Sequence, residues 1–145
     1  MPLETKSPVL HSMDLRLSYG DCDPAGIVYF AAYYQWMERV YNEWTFLGGH
    51  PPTRMSELWG ATHISRASGC EYLVPGMLFD ALTCEMRLAN VGRTSFTVAH
   101  DFIRRSDGVR LAQGHMVFVF IDDERRATEV PEGLKEVLRA AGAQV

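Results

Sequence analysis

Disulfide staples are the first thing this chain lacks. Its three cysteines, Cys22, Cys70 and Cys84, are odd in number and show no paired spacing. They read as reduced thiols, which leads us to expect a cytoplasmic protein. No CxxC pair or Cys/His cluster occurs, so no metal is expected. Long apolar runs are also missing. The richest, Met116 to Ile121, is far too short to span a bilayer, so no membrane partner is expected. An excess of basic charge is absent, and the formal net charge of -4 argues against nucleic acid as a partner. There is no GxSxG elbow, no HExxH helix and no Gly-rich phosphate loop. No repeat or low-complexity segment interrupts the sequence.

What is present suits one globular domain. Of the 145 residues, 47% are hydrophobic and 22% charged, which is enough apolar material for a core without staples. Residues 1–12 contain two prolines and no apolar core, so they are expected to form a flexible tail rather than a signal peptide. Residues 13–145 are expected to form the domain.

Hydropathy then assigns the elements. Met13, Leu15, Leu17 and Tyr19 alternate with Asp14, Arg16 and Ser18, the period of a strand. The breakers of Gly20 to Gly26 follow. From Ile27 to Leu47 the chain is apolar and aromatic without Pro or Gly, which predicts one helix of about 30 Å. Apolar residues lie almost all round it, so it is expected to be buried on most faces. Pro51-Pro52 opens a connector with a single helical turn near Met55 to Leu58. Strands follow over 61–73 (interrupted near Gly69), 82–88, 96–102 and 110–121, with a hairpin at Asp107-Gly108. Gly114 inside the last strand marks a bulge or a close backbone approach. A short amphipathic helix runs from Pro131 to about Ala141. One long helix cannot be enclosed by a flat sheet, so the order predicts an α+β fold with a curved antiparallel sheet wrapped around a central helix.

The segment with most chemical content is Asp21-Cys22-Asp23-Pro24-Ala25-Gly26-Ile27-Val28. It places two acids just before a helix whose first N–H groups lack intrahelical partners and carry the positive end of the dipole. Such N–H groups can hold a developing oxyanion, and a nearby carboxylate can act as nucleophile or base. An aspartate before a helix is also a preferred N-cap, and the residues alone leave both readings open. His63 is read as a strand residue without a catalytic part.

This segment, followed by Tyr33 and Trp36, resembles the signature of the 4-hydroxybenzoyl-CoA thioesterase family of hot-dog proteins. The likeness continues through Pro51-Pro52, Thr94-Ser95-Phe96 and Glu129-Val130-Pro131, over about residues 13 to 135. It implies the hot-dog fold and hydrolysis of an acyl- or aroyl-CoA to the free acid and CoA. By that resemblance Asp23 is the catalytic carboxylate and the Phe30 backbone N–H polarises the thioester carbonyl. Phe30 departs from the family, whose aroyl-CoA enzyme has Tyr there and whose acyl-CoA branch has His; the backbone donor is kept. Tyr29, Tyr33 and Glu38 are implied as substrate contacts, with Glu38 in place of a shorter Asp. Arg93 and Arg126 are implied for the coenzyme A phosphates. Thr94 stands where the aroyl-CoA enzyme has Lys, and Arg104, Arg105 and Arg125 are candidates to compensate.

The resemblance implies no cofactor, since coenzyme A enters only as part of the substrate. It implies a homo-oligomer, dimer or tetramer, with the active site at the subunit interface. Two other functions compete. One is a non-catalytic acyl-CoA-binding module on the same fold. The other is a hot-dog enoyl-CoA hydratase, which would need His63 or His100 to come close to Asp23.

Overall fold

Alternating hydropathy becomes five antiparallel strands in the computed structural model, which describes residues 7–145. The strands are β1 (Val9–Arg16), β2 (Thr62–Tyr72), β3 (Ala81–Val91), β4 (Ser95–Arg104) and β5 (Arg110–Ile121). Their order in the sheet is β1-β3-β4-β5-β2, with β1 and β2 at the edges. Along β3, Leu82, Cys84, Met86 and Leu88 are buried while Thr83, Glu85 and Arg87 are half-buried. The register sets Cys84 against Phe102, Met86 against His100 and Leu88 against Val98. This pairing gathers the apolar side chains on one face, because neighbouring residues across an antiparallel pair point the same way.

Helix α1 (Ala32–Leu47) lies on that face. Its buried residues, Tyr33, Trp36, Met37, Val40, Tyr41, Trp44 and Thr45, recur at three- and four-residue steps and form one stripe. Gln35, Glu38, Arg39, Asn42 and Glu43 are exposed. The helix is therefore amphipathic rather than buried on most faces, and it starts five residues later than Ile27. The reason is local. Cys22 bridges Val28 and Ile27 bridges Met77, so these residues are extended and donate outside any helix. Gly26, at φ 77°, makes the tight return between them that a side chain would disfavour.

The strand β1 also differs from expectation. It begins at Val9, and Val9, His11 and Ser12 pair with Arg87, Met86 and Glu85. Residues 9–12, expected in the tail, belong to the sheet; the expectation for residues 1–6 lies outside the described residues. Helix α2 (Pro52–Trp59) has two turns instead of one and ends at Gly60 in the left-handed region. β2 runs unbroken through Gly69, with its irregularity between Ser65 and Ala67. Helix α3 (Glu132–Ala140) buries Leu134 and Leu138.

Gly114 keeps its pairing in β5, opposite His100 and Cys70, so it is a close approach and no bulge. A Cβ there would collide with the Met37 sulfur of α1. Burying side chains of this size contributes about 1.5–3 kcal/mol each, and close seating of the helix secures that gain.

Candidate active site

The loop before α1 is built by its own acids. Asp21 accepts from the Ser18 N–H at 2.9 Å and closes a 3-10 turn over Tyr19–Asp21. Asp23 then organises the next turn. Its N–H donates to the Ile27 carbonyl at 2.9 Å, its carbonyl accepts from Gly26 N–H at 2.9 Å, and its carboxylate Oδ1 accepts from Ala25 N–H at 2.8 Å. A carboxylate held by one oxygen still has the other for chemistry. Asp23 does not cap α1: the residue at that position is Ala31, which makes no side-chain cap bond. Between the acids sits Cys22, whose thiol pKa is pushed up by desolvation first and then by the Asp21 and Asp23 carboxylates. It stays protonated and does not compete as a nucleophile.

The turn over 29–31 supplies donors. The Tyr29 carbonyl accepts from Ala32 N–H at 2.9 Å, and Tyr29 N–H donates to the Asp21 carbonyl at 2.8 Å. Among the described residues, the N–H groups of Phe30 and Ala31 donate to no main-chain acceptor. These are the orphan donors of the helix start, where the dipole is positive.

Asp23 and Phe30 share one cleft of about 240 Å³ with Val28, Tyr33, Tyr72 and the Leu73–Gly76 connector. Ligand pockets for drug-sized molecules run to about 300–1,000 Å³, so this one is matched to an acyl group and not to a whole coenzyme A. Its walls are apolar apart from the carboxylate, the backbone and two phenols. Tyr33 is buried, its ring 4.9 Å from Phe102 and 5.7 Å from Tyr72. Burial first, then nearby groups, pushes its hydroxyl up to about 12, so it is neutral in the working range.

Tyr72 and the connector carried no site expectation from sequence. The signal available was a strand ending in an aromatic just before Pro75-Gly76. Gly76 is buried, its carbonyl accepts from Val28 N–H at 2.9 Å, and a Cβ on it would lie 2.8 Å from Val28.

The structure does not bring every candidate to this cleft. Tyr29 is exposed, with its ring 4.8 Å from that of Phe30. Glu38 accepts from Asn42 and faces a separate hollow with Asp21, Gln35, Trp36 and Arg39. Arg93 and Thr94 lie in the β3–β4 turn and Arg126 lies after β5. The Arg93 carbonyl accepts from Val130 N–H and the Thr94 carbonyl from Phe120 N–H, both at 2.9 Å, so these segments meet at one end of the sheet. Asp23 is at the other end, beside Met77 and the start of β3. The ten residues of β4 separate the two ends, about 30 Å.

Among the compensating arginines, Arg104 is taken by Asp107 at 2.8 Å and Asp80 at 3.7 Å, and Arg105 by Asp14 at 3.6 Å. Arg125 is exposed, with φ 63°. Arg126 is paired with Glu124.

Neither histidine named for a hydratase dyad lines the cleft. His63 meets the Tyr41 hydroxyl at 2.6 Å in a stack with Phe118, near the end of the sheet remote from Asp23. Burial lowers its pKa to about 4, so Tyr41 donates to a neutral ring. His100 is fully buried, its ring nitrogens meet the Met37 backbone only outside good hydrogen-bond geometry, and burial first, then His115, lowers it to about 3.

Residues 17–138 match the Thioesterase-like superfamily. The 4-hydroxybenzoyl-CoA thioesterase of Pseudomonas sp. (strain CBS-3) is 32% identical over 128 residues, covering 83% of this chain and 91% of the relative. The solved 4-hydroxybenzoyl-CoA thioesterase from that strain superposes with a TM-score of 0.73 at 28% identity, over 87% of this chain and 96% of the other. The solved 1,4-dihydroxy-2-naphthoyl-CoA thioesterase of Synechocystis gives 0.80 over 92% and 98% of the chains at 16% identity, a likeness of fold. The fold is the hot-dog fold that the family resemblance implies, within the α+β class that the residue pattern predicts. No helix of the described residues is long and apolar enough to cross a membrane.

Proposed function

The chain belongs to the thioesterase-like superfamily and is a thioester hydrolase, and from that premise we propose that it cleaves an aroyl-coenzyme A at the Asp23 cleft. The observation that carries this reading is the cleft that Asp23 shares with Phe30, whose N–H donates to no main-chain acceptor among the described residues. A thioester carbonyl between them has a carboxylate on one side and electropositive donors on the other. Aromatic walls from Phe30, Tyr33 and Tyr72 favour an aromatic acyl group, as does the 32% identical relative that acts on 4-hydroxybenzoyl-CoA.

In the reaction, an Asp23 oxygen or a water activated by it adds to the carbonyl carbon. The carbonyl oxygen takes the negative charge and is held by the free N–H groups. Collapse of that intermediate breaks the C–S bond and releases the coenzyme A thiolate. If Asp23 itself adds, the product is a mixed anhydride, and water then cleaves it to the free acid and the aspartate. Oxyanion donors of this kind contribute about 10²–10³-fold each where they have been removed in other enzymes. No metal or prosthetic group takes part in this scheme.

A single protomer holds the acyl end of this site but not the phosphate end. With Arg93, Thr94 and Arg126 at the opposite end of the sheet from Asp23, we place the phosphates on those residues of a second copy, in a homodimer or homotetramer. Glu38, which also faces away from its own cleft, would reach a neighbouring one in the same way.

The test is a thiol-release screen over benzoyl, hydroxybenzoyl, short and long acyl-CoA esters, on the wild type and Asp23→Asn in parallel. Turnover of aroyl esters that Asp23→Asn abolishes supports the proposal. Tight binding of the esters with no release by the wild type would make the protein a binding module. Equal turnover by both proteins would remove Asp23 from the mechanism.

A further inference from the structure

The 29–31 turn presents a problem of rigidity. Its N–H groups are useful only while unpaired, yet an unpaired peptide is free to turn. The carbonyl of Phe30 shares a peptide plane with the Ala31 N–H, so whatever fixes one fixes the other. Among the described residues no main-chain donor reaches the Phe30 carbonyl. Its partner is the hydroxyl of Tyr72, 42 residues away in sequence, which donates to it at 3.3 Å.

The ring of Tyr72 adds to this contact. It lies edge-on to Phe30 at 6.4 Å and tilted against Tyr33 at 5.7 Å, on both sides of the turn. The hydroxyl also meets the Tyr34 and Cys70 side chains; burial first, then Cys70 and Tyr34, pushes it up to about 12, which keeps it a proton donor at neutral pH. Tyr72 is the last residue of β2, whose pairing to β5 is regular from Ala67 through Tyr72, opposite Ala112. A donor mounted on the end of a paired strand is a fixed reference point, whereas the 29–31 turn has few bonds of its own.

Resting on the hydrolase reading above, we infer that Tyr72 is a positioning residue, whose hydroxyl locks the Phe30–Ala31 peptide and so holds the turn that presents the Phe30 N–H to the cleft. The lock acts on the oxyanion rather than on ground-state binding. Its loss should therefore appear in kcat and leave KM nearly unchanged.

The test is Tyr72→Phe, which removes the hydroxyl and keeps the ring. Thiol release is measured on benzoyl- and acetyl-CoA, and the backbone amides are followed by NMR without substrate. The expected result is a kcat lowered about tenfold for both esters with KM within about twofold, since small misplacement of catalytic groups costs up to about 100-fold. The amide signals of Phe30 and Ala31 should shift or broaden while those of β3 and β4 stay in place. Unmoved Phe30 and Ala31 amides would overturn the lock, as would moved amides with kcat preserved. A wild type that releases thiol from no ester would overturn the hydrolase reading and the catalytic consequence together. The amides would then still report whether the lock exists.

Discussion

At one end of the sheet, where β2 stops and β5 starts, a carboxylate, Phe30 with its unpaired N–H and two phenols line one apolar cleft. At the other end, Arg93 and Arg126 stand exposed in two turns that meet near Thr94. The first end is assembled from Asp23 to Tyr33, eleven consecutive positions, plus one strand end and its connector. The second draws on two turns some thirty residues apart. Groups supplied by one short loop are brought together by that loop's own hydrogen bonds. Groups supplied by separate turns share an end of the sheet, and no bond of the first loop brings them to it.

The sharpest way to break this contrast is Asp23→Asn. It should lower kcat toward aroyl-CoA by about 100-fold or more, by comparison with lost nucleophiles elsewhere, with an unchanged thermal melt. A melt lowered by several degrees would instead make Asp23 mainly a structural turn residue. Next comes the double variant Arg93→Ala with Arg126→Ala. Exposed charge pairs contribute about 1 kcal/mol or less each, so KM for the coenzyme A ester should rise about tenfold while kcat holds. The pantetheine thioester, which lacks the nucleotide, should not register the change. If it loses as much, the basic end acts on the fold and not on phosphate.

A third effect separates the interior from both ends. Folded His63 and His100 stay neutral to about pH 4 and 3, whereas an unfolded histidine takes a proton near 6.5. Below about pH 6.5 the unfolded chain therefore binds more protons, and stability falls as pH drops, by about 1.4 kcal/mol per pH unit for each such ring. Urea melts between pH 7 and 5 should show that slope, and His100→Leu should reduce it by one proton. The smallest effect is expected for Phe30→Tyr, less than about threefold in kcat, because the proposed donor is main-chain. A larger loss would mean that the side chain takes part.

The fold was legible where periodicity is regular. β3 and β4 alternate in sequence as they do in burial. The start of α1 was not, because Ile27 to Ala31 has the composition of the helix that follows. What keeps it extended is pairing to Cys22 and Met77, a long-range fact that composition does not carry. The all-round apolar character of 27–47 mixed helix core with exposed Tyr29, Phe30, Phe46 and Leu47. Asp23 was visible from its motif, whereas Tyr72 was not, since a tyrosine ending a strand looks like any other until the strand is placed against the loop. Arg93 and Arg126 do lie in turns, but nothing in a linear pattern states how far a turn lies from a loop.

Gly114 deserves a last consequence. It is the missing methyl opposite Met37 that lets α1 sit down on the sheet, and Met37 is only five positions beyond Ala32, the first residue of α1, about 7.5 Å along the helix. The helix behaves as a lever resting on that gap. Any larger residue in the gap would lift the lever, raise the Phe30 end with it, and alter the distance from Asp23 to the helix mouth without touching either group. The depth of the reaction chamber is thus gauged by an atom that is not there.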